Sequence, residues 1–346
     1  MTGKRISPED ALRLFESNDI FTLGRLAGHA AVIRNGNKAY FIRNHHVNPT
    51  NICINRCKFC AFSRSKGDKG AYEMGTRQII NKLKKQTAKG GFSEVHIVGG
   101  LHPDWPFGHY LEMLTAIKKN FPALHIKAFT AVEIDYFSKL SGLSLRDTLL
   151  ALKDAGLGSM PGGGAEILGA RVRNRICPEK ISGKRWLQVT ETAHAAGIRT
   201  NATMLYGHVE KYSHRVDHML KLRDLQDKTG GFQAFIPLSF HPLNTSIEGA
   251  EHTSGIDDIK TIAVSRLFLD NFDHIKAYWI MLGEKIAQLA LMFGADDLDG
   301  TIIEEKITHS AGGLSGVAMT KDQLVNLIKK AGKVPVERDS FYNPVK

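Results

Sequence analysis

Residues 47–63 read Val47-Asn-Pro-Thr-Asn-Ile-Cys53-Ile-Asn-Arg-Cys57-Lys-Phe59-Cys60-Ala-Phe-Ser63. Val47 to Cys53 has the length of a short buried strand, and three thiols follow at the spacing C-x3-C-x2-C. The whole chain has four cysteines. Three thiolates do not complete a four-ligand metal site. They can hold three corners of a [4Fe-4S] cube and leave the fourth iron open, a place to bind and reduce a small molecule. A structural zinc site wants four ligands, usually as two paired spacings, and only His45 or His46 is near enough in sequence to help. A ferredoxin cluster wants four cysteines, and the fourth, Cys177, lies far along the chain before Pro178. Buried cysteines that cluster by chance are the bland alternative.

Working outward, short apolar runs alternate with amphipathic stretches. The strand candidates are Val47–Cys53, Glu94–Val98, His125–Thr130, Gly158–Pro161, Arg199–Met204, Gln233–Pro237, Ile275–Ile280 and Gly300–Ile303. Between them lie helical stretches such as Thr76–Ala88, Tyr110–Lys119, Leu145–Ala155, Lys184–Ala196 and His214–Thr229. Gly90-Gly91, Gly156 and Gly197 supply left-handed stops. This alternation predicts an α/β fold with a parallel sheet, and eight units favour a (β/α)8 TIM-type barrel. The fourth and eighth strands are short, which leaves a partial, six-stranded barrel open.

Ahead of the barrel, Ser7-Pro8-Glu9-Asp10 reads as a helix start, and a second helix runs from Phe21 to about Arg34. Lys38 to Arg43 reads as a further strand. Thr320 to Gln323 has capping-box spacing before an apolar face over Leu324–Ala331, and the tail beyond Gly332 reads as extended. The predicted organisation is a helical cap over residues 1–36, the barrel over 37–315, and a helix with tail over 316–346.

The 346 residues carry a net charge of +11. Their basic residues are scattered without a run of five or more, so the reading is a solvated surface with no nucleic-acid partner. No apolar stretch reaches membrane-spanning length and the first residues carry no apolar signal region, so no membrane partner is predicted. Few, clustered cysteines suit a reducing, cytoplasmic location.

In such barrels function sits on the loops after the strands. After strand two comes Gly99-Gly100-Leu-His102-Pro, where paired glycines permit close backbone approach. After strand three comes Glu133, placed to accept hydrogen bonds from ribose hydroxyls or simply to open a helix. After strand four comes Pro161-Gly-Gly-Gly-Ala-Glu166. Glu166, with Arg171, Arg173 and Arg175, has the chemistry to grip a zwitterion, carboxylate to ammonium and guanidinium to carboxylate. Neither the P-loop pattern nor a GxGxxG fingerprint is present.

Together these residues resemble the radical S-adenosylmethionine (SAM) superfamily, whose signature is a C-x3-C-x-aromatic-C loop after the first barrel strand. The resemblance implies that Cys53, Cys57 and Cys60 hold a [4Fe-4S] cluster and that SAM's methionyl amine and carboxylate chelate the open iron. It implies Phe59 against the adenine, Gly99 and Gly100 at the amino group, Glu133 and Glu166 at the ribose and amino group, and Arg173 at the methionine carboxylate. Asn48-Pro-Thr-Asn-Ile-Cys53, Gly99-Gly-Leu-His-Pro103, Lys127-Ala-Phe-Thr-Ala-Val-Glu133, Pro161-Gly-Gly-Gly-Ala-Glu166 and Asn201-Ala-Thr-Met-Leu-Tyr-Gly-His208 are similar to one subgroup. That subgroup holds the futalosine-pathway enzymes of menaquinone biosynthesis and the deazaflavin synthases, and the chain resembles most its aminodeoxyfutalosine synthase branch.

The branch implies addition of the adenosyl radical to 3-[(1-carboxyvinyl)oxy]benzoate, with rearrangement and decarboxylation. The substrate is an aromatic dicarboxylate, for which Arg64, His102 and His241 are the binding candidates. The implied partner is a reducing electron donor such as flavodoxin or ferredoxin. Sulfur-inserting relatives carry a second cluster, and Cys177 alone is too little for one. The cyclising futalosine-pathway enzyme and the deazaflavin synthases remain as alternatives, with a non-catalytic iron–sulfur or zinc module as the reading from another class.

Overall fold

Local chemistry starts the chain as its sequence predicts. Ser7 accepts from the Asp10 backbone N–H and Pro8 opens α1 (Pro8–Glu16), while Asp19 caps α2 (Ile20–Asn35) through the Thr22 N–H. In this computed structural model the described residues are 5–88, 90–316 and 318–345. After β1 (Lys38–Ile42) and β2 (Asn44–Val47) come α3 (Thr76–Thr87), β3 (Glu94–Ile97), α4 (Phe107–Asn120) and β4 (His125–Ala128). Then follow α5 (Ala131–Ser141), α6 (Leu145–Asp154), β5 (Ser159–Met160), α7 (Ala170–Ile176) and α8 (Gly183–Ala195). Next come β6 (Arg199–Tyr206), α9 (Tyr212–Thr229), β7 (Phe232–Ser239), α10 (Gly255–Phe268) and β8 (His274–Ile275). The chain finishes with α11 (Trp279–Ala290), β9 (Asp297–Gly300), α12 (Ile307–Ser310), α13 (Lys321–Lys330) and β10 (Val334–Glu337). Among the described residues no helix is long and apolar enough to cross a membrane.

β2 through β8 form one parallel, seven-stranded sheet in chain order, and β10, β1 and β9 form a second sheet of three. The fold is an α/β barrel in its partial form, with seven laddered strands rather than eight or six. Among the described residues, the two edges of the large sheet meet the segment around β9 through isolated bridges. Lys276 meets Asp297 and His45 meets Ile303, with the Ala277 N–H donating to Asp297 O at 2.8 Å and the His46 N–H to Ile303 O at 3.1 Å. The expected eighth strand at Gly300–Ile303 therefore begins earlier, as β9, and its ladder is to β1.

The strands follow the period of two. Val95, Ile97, Ile126 and Ala128 are buried in the apolar core, while the alternate residues Glu94, His96 and Lys127 line an internal cavity. The other end of the barrel is plugged by the tail. Arg338, just after β10, pairs with Asp297 at 2.7 Å with both side chains fully buried, and Tyr342 stacks on His274 with ring centroids 3.6 Å apart.

Three boundaries differ from expectation for identifiable reasons. The first barrel strand is Asn44–Val47, not Val47–Cys53: its polar residues are all buried, and His46 lines the cavity. Strand three stops at Ala128, since Thr130 accepts from the Glu133 N–H and caps α5. The run Ile275–Ile280 divides, with β8 ending at Ile275 and α11 beginning at Trp279.

Candidate active site

The loops after β2, β3, β4 and β5 converge on a cavity of about 330 Å³. Cys53, Cys57 and Cys60 all line it, together with Phe59, Gly99, Gly100, Glu133, Gly162 and Glu166. The cysteine loop is stitched to the end of β3. The Gly100 N–H donates to Thr50 O, the Ile54 N–H to Leu101 O, both at 3.0 Å, and the Leu101 N–H to Cys53 Sγ at 3.3 Å. A Cβ on Gly100 would lie 2.1 Å from Ile52 O. The backbone that requires glycine there is the protein's own, not only a ligand's. Gly162 answers the same need against β6, where a Cβ would lie 2.7 Å from the Ala202 carbonyl carbon.

Burial pushes the Cys53 thiol up, and pushes the Cys57 thiol up to about 12 against the pull of Lys180. Thiolates therefore form there only when a cationic metal centre takes their charge. Among the described residues no three thiol, imidazole or carboxylate groups gather around one metal ion. All three thiols open onto the one cavity, and the N–H donated to Cys53 Sγ is the kind of bond that tunes cluster sulfurs.

Glu133 opens α5 as N3 of a capping box but is buried, not a surface residue. Its carboxylate accepts from the Thr130 N–H at 2.7 Å and the Gly99 N–H at 3.3 Å. Burial nonetheless raises it to about 7, because those bonds offset only part of the desolvation. Glu166 sits at φ 46°, a left-handed conformation uncommon outside glycine. It accepts from Lys180 Nζ at 2.5 Å, and the same ammonium lies 4.7 Å from the Phe59 ring centroid. Burial opposes the Lys180 charge, but Cys57, Glu166 and Cys177 together hold it well above its ordinary range.

Several expected residues lie elsewhere. Arg173 is buried behind the glycine loop, with its guanidinium donating to Ala165 O at 2.5 Å and Ile181 O at 2.6 Å. It does not line the cavity, because carbonyls left open by the turns at both ends of α7 take its donors. Arg64 donates to Ala61 O and Ser63 O at 2.9 and 2.8 Å, on the far side of the cysteine loop. His102 is buried outside the cavity, bonded to Glu73 at 2.9 Å and stacked on Trp105. Of the three substrate candidates only His241 lines the cavity. Its Nε2 meets Met281 O at 2.9 Å, a carbonyl near the Gly283 break in α11, and burial lowers its pKa. Lys180, Lys276, Asp299 and His96, which carry no motif signal in the sequence, also line the cavity, beside His46 and the Lys127 that opens the Lys127–Glu133 motif.

A family model described as the radical SAM superfamily matches residues 47–222, and one described as the CofH/MqnC C-terminal region matches residues 229–346. The chain belongs to the radical SAM superfamily. Among relatives of this radical SAM chain, an aminodeoxyfutalosine synthase of Thermus thermophilus is 47% identical, over 100% of this chain and 94% of its own length. A 5-amino-6-(D-ribitylamino)uracil–L-tyrosine 4-hydroxyphenyl transferase of Methanococcoides burtonii is 41% identical, over 98% of this chain and 95% of its own. In fold the chain is similar to methylornithine synthase, with a TM-score of 0.77 at 17% identity, over 96% of this chain and 95% of that one. As a radical SAM enzyme its cofactors are a [4Fe-4S] cluster and SAM. The three cavity thiols would hold the cluster, and Cys177, buried and outside the cavity, would take no part.

Proposed function

We propose that this radical SAM enzyme adds the 5′-deoxyadenosyl group of SAM to 3-[(1-carboxyvinyl)oxy]benzoate, with rearrangement of the ether to an aryl ketone and loss of the vinyl carboxylate as carbon dioxide or bicarbonate, giving 6-amino-6-deoxyfutalosine for menaquinone biosynthesis. The observation that carries the reading is full-length likeness, greater to the synthase than to the tyrosine-using transferase. When bound by Cys53, Cys57 and Cys60, the cluster would supply the electron that splits SAM into methionine and the adenosyl radical.

The chain's own residues position and seclude. Lys180, paired with Glu166 beside Phe59, replaces Arg173 as the cation for the methionine carboxylate. The Gly99–Glu133 pair faces the remaining polar groups of SAM. Addition to an enol ether needs no acid–base pair, so the catalytic contribution is alignment and exclusion of water. Ile236, Leu238, Phe240 and Met281 supply an apolar wall for an aromatic ring. A flavodoxin- or ferredoxin-type donor in a reducing cytoplasm would supply the electron.

The test is product analysis. Reduced, reconstituted enzyme with SAM and the benzoate should form a larger adenine-containing product. Stoichiometric free 5′-deoxyadenosine would refute it. The second reading, deazaflavin-precursor synthesis, draws on the likeness to the transferase. It predicts instead turnover of tyrosine with 5-amino-6-(D-ribitylamino)uracil.

A further inference from the structure

Below the SAM-facing end, the cavity reaches a floor built from inward residues of the strands. His46 on β2 and His96 on β3 are direct register partners, with ring centroids 4.6 Å apart and planes at 69°. Both line the cavity. The Nε2 atom of each is buried and has no hydrogen-bond partner among the described residues. His241 is tied through Nε2 to Met281 O, leaving Nδ1 without a partner, and His102 is bonded to Glu73.

The charged groups around the pair are already matched. Lys127, beside His96 in the β3–β4 register, pairs with Glu94 at 2.7 Å, and Lys276 pairs with Asp299 at 3.2 Å. Burial drives both imidazoles towards neutrality, His96 to about 3. Two adjacent neutral rings, each able to carry its proton on Nε2, offer two neighbouring donors flanked by two ammonium groups. A buried polar atom without a partner is destabilising unless something binds to it. The group that matches two neighbouring donors beside cations is one with two acceptor oxygens, a carboxylate.

We propose that His46 and His96 form the floor subsite that takes the ring carboxylate of the aromatic substrate, beside the ion-paired Lys127 and Lys276. This rests on the benzoate reading of the function. The apolar wall of Leu238 and Met281 rises from the same cavity. With its carboxylate on the floor, the ring would lie on that wall and its enol ether would face the cysteine end. His46 and His96 are thus positioning and specificity residues, not members of the cluster or SAM site.

The experiment measures binding to the reconstituted holoenzyme with SAM present, using 3-hydroxybenzoate and 3-hydroxybenzamide as probes. The wild type should bind the carboxylate at least 10-fold more tightly than the amide, since hydrogen bonds to a charged group are the stronger ones. In the double variant His46→Leu/His96→Leu that preference should fall to about 1-fold. The same variant should show no loss of melting temperature and an unchanged iron content, because near-isosteric apolar groups replace unpartnered polar ones. His96→Gln, which keeps one donor, should be intermediate and covers the case where the double variant folds poorly. An unchanged preference in either variant overturns the proposal, as does a wild type that binds both probes equally. Turnover of 3-[(1-carboxyvinyl)oxy]benzoate is assayed separately. If the floor reads the carboxylate but that substrate is not converted, the functional reading fails and the subsite stands.

Discussion

Gly100→Ala is the sharpest probe of how the cluster loop is placed. A methyl group there would lie 2.1 Å from Ile52 O, 2.6 Å from Ile52 C and 3.0 Å from Cys53 Cβ. Ordinary contact begins at 3.4 Å, so the loop must retreat by more than 1 Å. Its targets are backbone atoms, which no side-chain rotation relieves. Overpacking of this kind costs roughly 1–3 kcal/mol, and a backbone clash belongs at the upper end. For a chain of this size that lowers Tm by roughly 5 °C. A displacement of about 1 Å between reacting groups lowers turnover about 100-fold.

Gly99→Ala is the internal control. Its methyl would lie 3.2 Å from Thr50 O and 3.4 Å from Pro49 Cδ, which a shift of tenths of an ångström absorbs. Less than about 10-fold loss is expected on the same alignment argument. The assay is iron and sulfide per chain after anaerobic reconstitution, followed by SAM consumption under strong reductant and the Tm of the metal-free protein. If Gly100→Ala retains full iron and turnover, or if Gly99→Ala is equally damaging, the packing argument is wrong.

Cys57→Ala should lose the cluster while Cys177→Ala keeps it, read by iron content and visible absorbance; equal loss would refute the three-ligand reading. Glu133 has a folded value of about 7 against an ordinary 4.5, so between those pH values the folded state binds more protons and stability falls as pH rises. The fall amounts to about 3 kcal/mol and is complete above pH 7. The urea midpoint of metal-free wild type should drop across that window relative to Glu133→Gln, and parallel profiles would overturn the assignment. Arg338→Met leaves Asp297 buried without its cation and should cost about 3–5 kcal/mol. Arg338→Met/Asp297→Asn should recover much of this in thermal melts, and no recovery would mean the pair is not the source.

The parts of the fold that follow from periodicity were legible. The helices capped by Ser7 and Thr320 and the strands beginning at Glu94, His125 and Arg199 need only local chemistry. The first barrel strand was misplaced because Asn44, His45 and His46 look like a polar loop. Inside a barrel, a polar residue at an inward register position is cavity lining, as His46 is. The apolar run at Ile275–Ile280 concealed the division between β8 and α11, since continuous hydrophobicity has no period to read.

The candidate site divides along the same line. Cys53, Cys57, Cys60, Phe59, Gly99, Gly100, Glu133 and Glu166 sit in loops whose composition is itself unusual, and the structure brings them to one cavity. Neither Lys127 nor Lys180 stands out as a site residue in the sequence, because a lysine there reads as surface. A signal was available for Lys127: it alternates with Ile126 and Ala128 on a strand covered on both faces, so its inward position had to be polar and buried.

Side-chain chemistry and position in the motifs point to Arg173, Arg64 and His102 as ligand contacts, and the structure shows why those criteria are insufficient. Each carries the right chemistry and each already donates to, or is bonded by, the protein. Binding capacity in a buried cavity belongs to groups that the fold desolvates but leaves unbonded. By that criterion the Lys180 ammonium, with one bond to Glu166 and further donors free to turn, outranks Arg173 for an anionic group near the cluster. His46 and His96 likewise outrank His102. The criterion also separates the two glycine motifs from a ligand-only explanation, since Gly100 and Gly162 are required by Ile52 and Ala202 before any ligand arrives. Close packing of those loops is what brings a cluster loop from one strand and polar groups from three others within reach of one small molecule, and the unbonded imidazoles beneath then decide which second molecule can join it.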